Sequence, residues 1–373
     1  MRVLWVTNYP SPYRVDFFSE LAKYVEITVL FENTVEQQTH RNKDWFNTNY
    51  EAFNAVFLPK DSVKKRIKVA SKYVLDKEYD FVVLGDYSTP ASVALAAKLM
   101  MHRIKYAISV DGAYLRKSSL LKDNIKSLII RKTEFFLSSS DTSDEYLMHY
   151  GATEEQIYRY NFTSLREKDI RKEVLSTEEK KEIKKKLGMS DKLSALLVGR
   201  FVYIKGIDFV LNNAKKYENI MDFYIAGDQP TEEYIQIINE KELTNIHFIG
   251  FQRKDKLAEY YQACDLFIFP TRYDPWGLVV NEAMANGMPI LSTDKSSAAL
   301  HFIKNGINGY VYPVDDNEKY EEYLSALCAD ETRLIEMGKA NLQLIQTYTI
   351  EEMALQHFKI FSSLFEGGRK RGK

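Results

Sequence analysis

Only two cysteines, Cys264 and Cys328, occur in 373 residues, both in apolar surroundings. Two such thiols supply neither a disulfide framework nor metal-ligand spacing, and they suit a reducing cytoplasm. An excess of one charge is also missing: 51 Lys and Arg stand against 52 Asp and Glu, a formal net charge of −1. That balance excludes the globally basic surface of a nucleic-acid-binding protein, although local basic patches remain open. Long apolar runs are absent. The best of them, residues 91–101, contains Lys98 and is too short to span a bilayer. The opening MRVLWVTNYP has no long apolar region of the signal-peptide kind. The expectation is a cytoplasmic protein, either dissolved or resting on the inner face of the cell membrane. Three catalytic signatures are missing too. There is no Gly-x-Gly-x-x-Gly, no Gly-x4-Gly-Lys-Ser/Thr and no His-Glu-x-x-His, which speaks against nicotinamide dehydrogenases, phosphate-loop enzymes and zinc proteases.

What is present is an ordinary globular composition, 45% hydrophobic and 28% charged. The length exceeds one comfortable core, so two domains are expected. The chain is organised around residues 267–293, FIFPTRYDPWGLVVNEAMANGMPILST. An apolar run over 266–269 reads as a buried parallel strand ending at Pro270. A polar and aromatic loop, 271–277, follows. Residues 278–285 have the spacing of a short helix, closed by Asn286 and Gly287, and 289–292 begin the next strand. Asp274 and Glu282 lie eight residues apart, about 2.2 helical turns, so one continuous helix would not present them on one face. Pro275 and Gly277 make a loop that can fold back and turn both acids to one cleft. The helix start near Gly277 and Leu278 offers free N–H groups and a positive dipole end, a natural seat for phosphate.

This stretch resembles the acid-x7-Glu signature of the retaining glycosyltransferases of family 4, Pro-Ser-x-x-Glu-x-x-Gly-Leu-x-x-x-Glu-Ala-x-Ala-x-Gly-x-Pro. The chain supplies Pro270, Thr271, Asp274, Gly277, Leu278, Glu282, Ala283, Ala285, Gly287 and Pro289. Its first acid is Asp, shorter in reach with the same charge. The resemblance implies an α/β protein of the GT-B fold: two Rossmann-like domains facing across a cleft, with a C-terminal helix crossing back to the first. The absence of any Asp-x-Asp argues against the metal-dependent transferases of the other fold.

The amino-terminal part begins as a doubly wound sheet: strand 3–7, a loop over 8–14, helix 15–24 and strand 26–31. Relatives carry paired glycines in that first loop, where this chain has Pro10, Pro12, Tyr13 and Arg14. Arg14, with Tyr13, is a candidate for an acceptor phosphate, or else an exposed helix-start arginine. Residues 60–77 are basic with helical spacing. A strand over 80–84, a helix over 88–101 and a strand over 105–110 follow. Many relatives place a sugar-contacting histidine after that strand. None of the six histidines (40, 102, 149, 247, 301 and 357) falls there; Asp111 occupies the place, a candidate for a direct catalytic role or else a turn acid before Gly112. Residues 116–132 (RKSSLLKDNIKSLIIRK) alternate basic and apolar residues at helical spacing. They read either as a solvated helix face or as a surface for anionic lipid. A strand over 135–140 and a helix over 146–150 precede the end of this domain.

The second domain opens with strand 195–199 and a loop whose Gly199, Arg200, Lys205 and Gly206 match the family's Gly-Arg…Glu-Lys-Gly string, with Ile204 in place of Glu. In the family the Arg and Lys grip the donor diphosphate. Strand 223–227 ends in Gly227, and strand 246–250 is followed by Phe251 and Gln252, which line the nucleobase pocket in relatives. Residues 315–366 read as helical, the last helix as 351–365 and the basic tail 367–373 as disordered. The resemblance gives domains at 1–166 (acceptor), 167–350 (nucleotide sugar) and 351–373 (crossover helix and tail). It implies a UDP- or GDP-linked hexose donor, a glycan or lipid-linked acceptor, and no metal or other cofactor. Bacterial surface polysaccharide synthesis is the usual setting. The competing reading is a catalytically silent nucleotide-sugar-binding partner of another transferase.

Overall fold

The structure, a computed structural model, describes residues 1–35, 49–116 and 119–371. His40, positions 117 and 118 of the basic stretch and the last two residues of the tail lie outside the described residues. The chain forms two compact units, Met1–Ser164 with the chain from Tyr348 onward, and Leu165–Thr347.

The first unit alternates strand and helix: β1 (Arg2–Thr7), α1 (Pro12–Leu21), β2 (Glu26–Phe31), β3 (Asn54–Phe57), α2 (Val63–Val74), β4 (Phe81–Leu84), α3 (Pro90–Met101), β5 (Ala107–Val110), α4 (Leu120–Arg131), β6 (Phe135–Ser138), α5 (Asp141–His149) and β7 (Ile157–Arg159). Its seven strands run parallel in the order β3-β2-β1-β4-β5-β6-β7. Parallel strands covered on both faces read as continuous apolar runs. Accordingly Val3, Leu4, Val29, Leu30, Val83, Leu84 and Ile108 have no exposed surface.

The second unit contains α6 (Thr177–Leu187), β8 (Leu193–Val198), α7 (Ile207–Asn213), β9 (Met221–Ala226), α8 (Glu232–Lys241), β10 (Ile246–Gly250), α9 (Lys254–Ala263), β11 (Leu266–Phe269), α10 (Leu278–Ala285), β12 (Ile290–Thr293), α11 (Ser297–Phe302), β13 (Gly309–Tyr312), α12 (Asn317–Cys328) and α13 (Glu331–Ile345). Its six parallel strands follow the order β10-β9-β8-β11-β12-β13. This is the Rossmann order, with its switch point between β8 and β11. In such sheets ligands bind outside the carboxyl ends of the strands on either side of the switch. The loops after β8 and β11 are the two that the sequence marks.

The final helix, α14 (Ile350–Arg371), belongs to the first unit and packs on α1. It continues through Gly367 to Arg371, so the tail expected to be disordered from 367 is helical up to 371. The span expected to be helical over 315–366 is three helices. One break falls at Asp330, whose side chain accepts from the N–H groups of Thr332 and Arg333 and starts α13. α5 begins at Asp141, earlier than its apolar spacing suggests, because Ser140 caps it. β3 is a short strand at the sheet edge with both ends exposed; its brief apolar run, residues 55–58, was not singled out as a strand. In α4, Ile129 and Ile130 are buried, whereas Leu120 (84% exposed), Leu121 (70%) and Leu128 (55%) face outward.

Candidate functional site

The site in the second unit is built by two loops locked together. After β8 the chain passes Gly199 and Arg200 and makes a single turn over Tyr203–Lys205. It then leaves through Gly206 at φ 67°, a left-handed conformation that favours glycine. A Cβ at Gly206 would lie 2.0 Å from the carbonyl oxygen of Pro270, so this glycine also permits the second loop to press against the first. Thr271 donates its hydroxyl to the Ile204 carbonyl (2.9 Å), and the Arg272 N–H donates to the same oxygen (2.7 Å). The Arg272 guanidinium forks onto Asp208 at 2.7 Å and lies 4.1 Å from the centre of the Tyr203 ring.

That fastening brings Lys205 Nζ to 2.5 Å from Asp274 Oδ2, with side-chain exposures of 16% and 19%. The lysine stem runs over Gly199, where a Cβ would sit 3.6 Å from Lys205 Cγ, and its ammonium lies 5.4 Å from the centre of the Phe269 ring. The other Asp274 oxygen accepts the Trp276 N–H at 3.2 Å. Gly227, at the end of β9, allows equally close packing: a Cβ there would lie 2.3 Å from the Gly199 carbonyl oxygen. Arg200, partly exposed, has no side-chain hydrogen bond or ion pair among the described residues.

α10 starts at Gly277, φ 101°, without a side-chain cap. Its first N–H groups and dipole end are therefore not answered by a capping side chain. Trp276 fixes this turn: its indole N–H donates to Asn281 Oδ1 at 2.8 Å, and its carbonyl accepts from Ser296 Oγ at 2.6 Å and from the Ala298 N–H at 2.9 Å. Leu278 is half-buried on the first turn. Glu282 accepts a hydrogen bond from the Tyr261 hydroxyl at 2.9 Å. Burial, and then the Glu282 charge, holds that phenol well above its usual pKa, so it stays a donor. Phe251 is half-buried, and Gln252 turns its amide back onto the Ile249 carbonyl.

The first unit has its own polar cluster at the carboxyl ends of β1 and β5. Arg14 Nη2 lies 2.5 Å from Asp111 Oδ2, and the Tyr160 hydroxyl donates to Asp111 Oδ1 at 2.8 Å. Two residues 97 positions apart, picked out for separate reasons, thus form one ion pair. Tyr13 packs edge-on against Phe162, and its phenol pKa is pushed up by burial. Together with Trp5, Phe17, Ser109, Met353 and His357 these residues line a small cavity. His357, from α14, sets its ring 4.5 Å from that of Tyr160 and Nδ1 2.7 Å from the Met353 carbonyl oxygen. Burial lowers its pKa to about 4. Tyr160 and His357 escaped the sequence reading: one follows a three-residue strand, the other sits in a remote helix, and neither carries a local motif. Among the described residues, no group of three or more His, Cys, Asp or Glu side chains could hold a metal ion. No helix among them is long and apolar enough to cross a membrane.

Two parallel-sheet Rossmann-like units, one with paired basic and acidic loops at its switch point, define the GT-B class. An Anabaena protein, HepE, shares this fold. Its complex with UDP superposes at a TM-score of 0.76, with 16% identity over 97% of this chain and 100% of that one; it has also been solved with UDP-glucose. Residues 179–343 match the model of the family described as glycosyl transferases group 1. An uncharacterized glycosyltransferase of Methanocaldococcus jannaschii is 31% identical over 145 residues, a match covering 37% of each chain. The chain therefore spans little more than a third of that relative. A longer match, 21% identity over 82% of each chain, is to the N,N'-diacetylbacillosaminyl-diphospho-undecaprenol alpha-1,3-N-acetylgalactosaminyltransferase of Campylobacter jejuni.

Proposed function

We propose that the chain is a retaining glycosyltransferase that moves a hexose-type sugar from a UDP- or GDP-linked donor to a glycan or lipid-linked acceptor in bacterial surface polysaccharide synthesis. The observation that carries this reading is the pairing of Lys205 with Asp274 at the switch point, in the unit whose β11–α10 loop ends on the uncapped N-terminus of α10. A donor's diphosphate gains negative charge as the glycosidic bond breaks. Arg200 and Lys205, with the N–H groups at Gly277 and Leu278, are the groups that stabilise that charge. Asp274 then turns to hydroxyls of the transferred sugar, and Glu282 accepts from the ribose hydroxyls. The acceptor attacks on the face the diphosphate leaves, and a phosphate oxygen takes its proton, so no enzyme nucleophile is used. These cations fill the role a metal would play. Asp111, in the first unit, accepts a hydrogen bond from a hydroxyl of the sugar substrate.

The acceptor part of the reading draws on the Campylobacter relative, whose name specifies a lipid diphosphate acceptor, and on α4. The outward leucines of that helix stand beside exposed Lys122, Arg131 and Lys132. Such a face suits the headgroup layer of an anionic membrane. The test is a panel of UDP- and GDP-linked hexoses scored for binding by thermal shift and for turnover by release of the nucleoside diphosphate. Turnover of at least one donor is expected. Binding without turnover would favour a silent partner subunit, and neither binding nor turnover would overturn the proposal.

A further inference from the structure

Asp111 is held at three points. Its backbone carbonyl accepts from Ser139 Oγ at 2.8 Å, one carboxylate oxygen receives Arg14, and the other receives the Tyr160 hydroxyl. Tyr160 is 3% exposed, wedged between the rings of His357 (4.5 Å) and Phe162 (6.2 Å), and its own N–H donates to the Ser138 carbonyl at 3.0 Å. Ser109 is the other polar side chain at the Tyr160 hydroxyl. Burial, reinforced by the Asp111 charge, keeps it protonated far above neutral pH.

We infer that Tyr160 and Arg14 are positioning residues, which fix the Asp111 carboxylate so that its two remaining lone-pair directions accept from a neutral sugar hydroxyl and not from a phosphate. A carboxylate has about four acceptor directions. Arg14 and Tyr160 fill one on each oxygen, and what remains can only accept. A phosphate would meet a like charge there, and the guanidinium that could have greeted it is already engaged with Asp111. This assignment rests on the role given to Asp111 above, and it replaces the expectation that Arg14 binds an acceptor phosphate.

The experiment compares wild type, Asp111→Asn, Tyr160→Phe, Arg14→Lys and the Asp111→Asn/Tyr160→Phe double variant, using the nucleotide sugar that wild type turns over fastest in the panel. Tyr160→Phe should lower kcat roughly 10–100-fold, the scale of one hydrogen bond to a charged group, while the donor KM moves less than about threefold. The double variant should be no slower than Asp111→Asn alone, because the two side chains act through one interaction. Thermal unfolding checks folding, and Arg14→Lys gives a second reading should Tyr160→Phe prove unstable. A crippled Asp111→Asn alongside a Tyr160→Phe that is wild-type in kcat, or losses that add in the double variant, would overturn the inference while leaving the role of Asp111 intact. Wild-type rates for Asp111→Asn, or no turnover of any donor, would overturn the reading beneath it and the inference together.

Discussion

Lys205 and Asp274 come from different loops, 69 residues apart, and meet at 2.5 Å. By sequence alone Lys205 pointed to the donor diphosphate, and Asp274 was marked only as one of two acids turned to a cleft. In the structure each is the other's partner, so the proposed donor must draw Lys205 toward its diphosphate and release Asp274 for sugar hydroxyls.

Lys205→Ala and Arg200→Ala should each lower kcat with the true donor on the order of 10²–10³-fold, the scale of a lost charge-stabilising donor in a preorganised site. Steady-state assays of the two variants check this. Near-normal turnover in both would place the phosphate site elsewhere.

Glu282→Ala should raise the donor KM more than it lowers kcat, because ribose contacts are alike in ground and transition states. Tyr261→Phe, which removes the 2.9 Å hydrogen bond to Glu282, should shift KM in the same direction by less. Nucleoside diphosphate binding by calorimetry should weaken in parallel.

In the proposed mechanism Arg200, Lys205 and the start of α10 take the place of a metal, so turnover should survive EDTA within about twofold. Loss of activity that returns with a divalent cation would contradict this assignment of the charge.

Exchanging Leu120, Leu121 and Leu128 for Asp, or Lys122 and Lys132 for Glu, should weaken binding to vesicles containing anionic lipid. The charge-reversal variant should lose most at low ionic strength, where surface electrostatics reach furthest. Co-sedimentation at two salt concentrations reads both effects. An intact protein that binds no vesicles even at low salt removes the membrane hypothesis.

His357 gives the pH prediction. Its folded pKa is lowered to about 4 by burial, below an unfolded value of roughly 6.5. As pH falls through that window the unfolded chain takes up a proton that the folded one refuses, so stability is lost on acidification. Between pH 8 and pH 5 the cost is about 2 kcal/mol from this group. His357→Phe should flatten that part of the urea-unfolding profile relative to wild type.

How legible all this was in the sequence varied with the range of the interactions involved. The β11–loop–α10 unit could be read because its signals are local: an apolar run, a proline stop, and a Gly277 whose positive φ leaves few alternatives. Much of the alternation of strands and helices was legible for the same reason, whereas β3, β7 and the helices α7, α8, α9 and α11 were not singled out. Local patterns could not show that Asp274 would pair with Lys205, because that contact depends on Arg272 binding Asp208 and on Gly206 lying under Pro270. Nor could they show that Tyr160 and His357 would crowd Asp111, because α14 brings its side chains from the far end of the chain.

The return of α14 to the first unit has a consequence for synthesis. Phe361 stacks on Phe81 at 5.0 Å, and His357 lies against Phe17 at 4.7 Å. These first-unit rings stay uncovered on the ribosome until the last helix emerges. At roughly 5–20 residues per second the intervening unit delays it by on the order of 10–40 s. During that interval the nascent first unit presents an aromatic groove to whatever is nearby. The second unit, contiguous from Leu165 to Thr347, can finish folding first, although it is translated later. A chain that lost its final helix would keep that groove open permanently, making it a target for chaperones and proteases while the loops around Lys205 stayed intact.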